Sequence, residues 1–169
     1  DQDIDLDAKA AQAKSLFAAV KAAKPGVLSC SVFQYERTRA MPDGASRVAK
    51  FVFLDVVAVT SYPNLGFSAA IPGYATASAV PANYYAPLTQ WAAGRKIAFT
   101  EIGWDTGAAD GVNQQNALLA RLLSGGLIPT TGVAFADWFS LYDFAGGTFP
   151  APFTRMGLSA KQGAARPAD

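Results

Sequence analysis

Apolar positions along this chain alternate between runs with a helical period and short runs of strand type. Residues 8–23 place Leu16, Phe17 and Val20 on one side among alanines and lysines, behind an Asp-rich start that suits a helix N-terminus, and predict a helix. Pro25-Gly26 stops it, and 27–34 reads as a buried strand that ends near Tyr35 and Glu36. After a loop with Pro42, Asp43 and Gly44, 46–54 predicts a short helix and 55–62 a second strand, closed by Pro63-Asn64. Its nearly continuous apolar run is what a strand buried on both faces requires. Tyr84, Leu88 and Trp91 recur at helical spacing within 81–93, 96–104 is a third strand, 112–123 a helix stopped by Gly125-Gly126, and 132–139 a fourth strand. A last helix is expected over 155–164.

Regular alternation of this kind predicts a single α/β domain over 1–169 with parallel strands joined by crossover helices. Four such units are half of an eight-stranded barrel, so the expected fold is a partial TIM barrel of about four to five β/α units. The competitor is a doubly wound open sheet. Neither a G-x-G-x-x-G after a strand nor a G-x-x-x-x-G-K-[ST] is present, which removes the usual nucleotide signals. The stretch 65–83, rich in Gly, Pro, Ala and Ser, is long for a structureless connection, and such segments commonly shape binding sites.

Composition narrows the chemistry. With 51% hydrophobic and 16% charged residues the chain can bury a core, and no apolar run approaches the roughly 18 residues of a membrane helix. A net charge of +1 without a basic stripe argues against a nucleic-acid partner, and Arg37, Arg39 and Arg47 are expected in a solvated loop. Histidine is absent from the sequence, which excludes Ser-His and Cys-His nucleophile pairs and His-containing metal sites. No cofactor or metal is expected. The single Cys30 cannot form an internal disulfide, and its strand-like surroundings predict a buried, inert thiol. The Asp-rich opening lacks the basic start and apolar centre of a signal peptide.

The strand 96–104 (Lys-Ile-Ala-Phe-Thr-Glu-Ile-Gly-Trp) delivers Glu101 to its carboxyl end. Parallel α/β folds bind ligands at that end of the sheet, so Glu101 is either a site carboxylate or a simple cap on the next turn. Asp55 opens its strand at the opposite end and is expected to be structural.

Together, the segment from Lys96 to Trp104, the strand end Val59-Thr60-Ser61-Tyr62-Pro63 and the strand Ala134-Phe135-Ala136-Asp137-Trp138 resemble the last four strands of clan A retaining glycoside hydrolases. The resemblance implies strands five to eight of their barrel, a β-linked oligosaccharide or polysaccharide as substrate, and an extracellular setting. It makes Glu101 the nucleophile, Tyr62 the aromatic beside it and Trp138 the floor of a sugar subsite, with Trp104 and Asp105 on the loop that follows. The family's acid/base Glu, normally after Asn at the end of strand four, has no counterpart, because no Asn-Glu pair occurs in the sequence. Retaining hydrolysis needs two carboxyl groups about 5–5.5 Å apart. Glu36 is the local substitute for the missing acid, its alternative being an exposed loop carboxylate. Asp137 should face away from Trp138, and Asp143 is a further rim candidate.

Two rival functions stand beside this one. A non-catalytic carbohydrate-binding or scaffold protein would keep the aromatic rim without the reaction. A phosphate-binding barrel would use the Gly-rich loops at Gly107 and Gly146-Gly147. A half barrel also exposes two strand edges, so self-association into a dimer is expected.

Overall fold

In the computed structural model, which describes residues 5–108, 110–128, 132–139 and 153–158, the four strand runs form one sheet. They are β1 (Cys30–Gln34), β2 (Val56–Ser61), β3 (Lys96–Ile102) and β4 (Val133–Trp138), all parallel and arranged in chain order. Five α-helices accompany them among the described residues: α1 (Leu6–Ala23), α2 (Tyr35–Ala40), α3 (Gly44–Ala49), α4 (Ala86–Ala92) and α5 (Gly111–Leu123). The fold is therefore α/β with a parallel sheet, as the alternation predicts.

Local chemistry sets the boundaries. Asp5 caps α1 by accepting from the backbone N–H of Asp7 and of Ala8, each at 3.0 Å, and so satisfies two of the donors a helix start leaves open. The first strand is shorter than its apolar run. Gln34 turns its side-chain oxygen onto the Arg37 N–H at 2.7 Å and starts α2, so Tyr35 and Glu36 open a helix instead of closing a strand. Arg37 and Arg39 consequently sit on α2 and Arg47 on α3, not in a loop. The helix expected over 46–54 begins at Gly44, ends at Ala49 and gives way to turns. Only a 3-10 turn, Phe153–Arg155, is found at the start of the expected last helix, whose remainder from 159 lies outside the described residues.

One face of the sheet carries the helices. Val57, Val59, Ile97 and Phe99 share a single buried cluster with Tyr35 of α2, Val48 of α3, Leu88 and Trp91 of α4, and Leu118 and Leu122 of α5. Helix α1 joins the same side through Phe33, Phe51 and Leu54. Strand alternation sends the intervening residues the other way, and there Val56, Ala58 and Ala98 form a small separate cluster that contains no helix residue. On the outer strands Val32 and Phe135 are both 49% exposed. Cys30, at the first position of edge strand β1, is exposed, which corrects the expectation of a buried thiol.

Asp55 is structural at the amino end of the sheet, where it ties α1 to the β1–β2 junction. It accepts from Lys21 Nζ at 2.6 Å and from both the backbone N–H and the hydroxyl of Ser29 at 2.7 Å. The Lys21 hydrogen bond, then those from Ser29, hold its carboxyl well below the usual carboxylate range. A depressed folded-state value means that this contribution is complete above the unfolded value of about 3.9 and is lost as pH falls toward the folded one. Asp55→Asn should therefore lower the melting temperature at pH 7 and flatten its decline below about pH 4, as read by thermal melts across pH. An unchanged acid limb would show that Asp55 is not the linked group.

Candidate active site

Because the strands are parallel, the carboxyl ends of β1, β2 and β3 lie on one rim, and that rim gathers Glu36, Ser61, Tyr62 and Glu101. Glu101 is the penultimate residue of β3, half-buried, next to an irregularity where the β2 register shifts between Val59 and Thr60. The Tyr62 hydroxyl donates a hydrogen bond to Glu101 Oε2. Tyr62 is only 4% exposed. Burial first, and the Glu101 hydrogen bond second, push its hydroxyl far above the ordinary tyrosine range, so it stays a donor at any working pH. Glycine is needed at 103 because a Cβ there would lie 2.8 Å from the Tyr62 ring and 3.2 Å from Met156 Sδ.

Glu36 is the largest correction to the sequence reading. It is 6% exposed, not a loop carboxylate in solvent. Four donors converge on it: Ser61 Oγ at 2.5 Å, Tyr84 OH at 3.0 Å and the Tyr62 backbone N–H at 3.2 Å on Oε1, and Gln34 Nε2 at 2.5 Å on Oε2. The Ser61 proton is spent on Glu36, so Tyr85 OH, 2.8 Å away, donates to the Ser61 oxygen and extends the network inward. Tyr35, Tyr84 and Tyr85 pack edge-on and tilted beneath it, with ring centroids 4.8–5.3 Å apart. Those four hydrogen bonds tie the Glu36 carboxylate into the fold. Tyr62 links Glu36 to Glu101, with the backbone N–H of Tyr62 on one carboxylate and its hydroxyl on the other.

The loop after β3 is locked. Asp105 forms a salt bridge with Arg155, 2.9 Å to Nε and 3.0 Å to Nη2, and accepts from the Gly107 N–H at 3.0 Å. Asn64 clamps its backbone from the β2 side, donating to Asp105 O at 2.8 Å and accepting from Asp105 N at 3.1 Å. Asp105 is thus engaged internally. The Gly107 amide proposed for phosphate is already satisfied by a carboxylate, and its partner loop at Gly146-Gly147, like Asp143, lies outside the described residues.

Trp104 is 1% exposed inside the main core cluster, so it offers no ring face to a sugar. Trp138 is half-buried, packs against the same cluster and donates its indole N–H to Met156 O at 3.1 Å. Only part of that ring remains available. Asp137 is exposed on β4. No protein-family model, curated protein or solved structure matches this chain.

Next to Glu36 opens a cleft of about 370 Å³, walled by Arg39, Tyr74 and Tyr84 and by residues 70–73 of the long loop. The sequence singled out that loop as site-shaping, but not Arg39 or Tyr84 as wall residues. Within the described residues no cluster of three or more metal-ligating side chains occurs, and no helix is long and apolar enough to cross a membrane.

Proposed function

We propose that this chain is a glycoside-hydrolase-like, carbohydrate-active half barrel whose nucleophile is Glu101, with a β-linked glycan as ligand and weak or undetectable hydrolysis when it acts alone. The observation that carries the reading is the Tyr62 hydroxyl donating to Glu101 at the carboxyl end of a central parallel strand. A donor on one oxygen orients the carboxylate and leaves the other oxygen as the attacking atom. The barrel half is favoured over a doubly wound sheet because every described helix belongs to clusters on one sheet face, whereas double winding puts helices on both.

The chemistry follows from what is present. Glu101 attacks the anomeric carbon, and the glycosidic oxygen must leave with a proton. Four donors tie the Glu36 carboxylate into the fold and Asp105 is paired with Arg155, so neither is placed to deliver that proton. Loss of a general acid typically costs about 10²- to 10⁴-fold. A leaving group that needs no proton escapes this penalty.

A dinitrophenyl β-glucoside should therefore release phenolate in a burst that an alkyl β-glucoside does not give, followed in a stopped-flow absorbance trace. Glu101→Gln should abolish the burst, and Tyr62→Phe should slow it roughly tenfold without a comparable loss of melting temperature. A burst that survives Glu101→Gln rejects the nucleophile. Glycan binding with no burst would favour the non-catalytic binding protein.

A further inference from the structure

The cleft beside Glu36 joins two side chains of opposite charge that do not neutralise each other. Glu36 and Arg39, three residues apart on α2, share one face of that short helix. Every hydrogen-bond partner of Glu36 is neutral: a serine, a tyrosine, a glutamine amide and a backbone N–H. Arg39 has no ion pair among the described residues. Its guanidinium lies 4.9 Å from the centroid of the Tyr84 ring, with the Tyr74 hydroxyl beside it. Three donors fill Glu36 Oε1, whereas Oε2 takes one and keeps an acceptor site. The wall thus combines a fixed acceptor, a planar cation with no ion pair among the described residues and two tyrosine rings around a space large enough for a sugar ring.

We infer that this cleft is a subsite for a sugar residue that carries a carboxylate, a uronic acid, with one sugar hydroxyl donating to Glu36 and the acid group received by Arg39. The inference rests on the glycan reading above and adds the class of sugar. A neutral hexose would use Glu36 and leave Arg39 without an anion. A plain carboxylate would use Arg39 and leave the open acceptor site on Glu36 Oε2 unfilled. A uronic acid satisfies both, because its acid group and its ring hydroxyls lie on opposite parts of one ring. The guanidinium fork suits a carboxylate bidentately, which makes arginine and not merely positive charge the feature to test.

The test compares methyl β-glucuronide with methyl β-glucoside, which differ only in the acid at the sixth carbon, by amide-shift titration of the intact chain with sodium acetate as the plain-anion control. The glucuronide should bind at least about tenfold tighter than the glucoside, move amides of 36–40 and 70–74, and weaken as salt rises. Arg39→Gln should bring the two sugars to equal affinity while leaving the melting temperature unchanged. Arg39→Lys should retain only part of the preference. Equal affinities in the parent chain, a preference that survives Arg39→Gln, or acetate binding as tightly as the glucuronide would each overturn the inference, as would the absence of any binding at the cleft. Should the glucoside shift amides at 101–103 while the cleft stays silent, this subsite fails and the glycan reading stands. A dinitrophenyl glucoside that gives no burst while the glucuronide preference holds fails the hydrolytic reading and leaves this subsite standing.

Discussion

Glu36→Ala is expected to destabilise the chain by about 3–5 kcal/mol, because it strands several buried donors at once, each costing about 1–3 kcal/mol when unsatisfied. Ser61 is 0% exposed and Tyr84 2%, so neither has bulk water to turn to, and water entering from the cleft offsets only part of the loss. The melting temperature should fall by roughly 10 °C. Glu36→Gln keeps one acceptor oxygen but places an amide N–H₂ among donors, and should fall between the parent and the alanine variant. Thermal melts followed by circular dichroism decide the matter. A shift within the range of ordinary surface substitutions, about 0.5 kcal/mol, would mean that Glu36 is the solvated carboxylate its sequence position suggested.

Trp104→Ala should cost a similar amount, about 3–5 kcal/mol, for a different reason. The indole is enclosed by the cluster that contains Ile102, Leu118 and Leu122, so truncation leaves a large apolar void. Trp104→Phe should recover most of that loss, since it keeps much of the buried volume. The contrast with a sugar platform is direct: a stacking tryptophan loses ligand affinity on truncation and little stability, and this one should do the reverse. Parallel melts and glycan titrations on the alanine variant separate the two roles.

The strands were legible because burial on both faces forces continuous apolar runs, which is why 55–62 and 96–104 contain β2 and β3 with only small differences at their ends. Glu101 at the carboxyl end followed from that register. What escaped was anything made by residues remote in sequence. No spacing rule joins positions 36, 61 and 84, and the network on Glu36 exists only once β1 and β2 are side by side and α4 brings its preceding turn over them. The error at Glu36 began at Gln34, which closes β1 as expected but also caps α2 with its side chain, so the residues after it enter a helix. Trp104 was misplaced because a Gly-Trp pair after a strand reads equally as rim or as core. In fact the glycine makes room for the Tyr62 ring while the tryptophan turns inward. Cys30 looked buried because it lies in a strand-like run, yet it begins an edge strand.

Tyr62 ties these corrections together: its backbone serves a structural carboxylate and its hydroxyl the proposed nucleophile. Covalent trapping tests that division most directly. A dinitrophenyl 2-deoxy-2-fluoro-β-glucoside supplies a leaving group that departs as phenolate without a proton, and its fluorine slows release of the sugar from the attacking oxygen. The account predicts a single glycosyl adduct by intact mass, mapped by peptide sequencing to Glu101 and absent from Glu101→Gln. An adduct on Glu36, or an equal adduct in the Glu101→Gln variant, would contradict it.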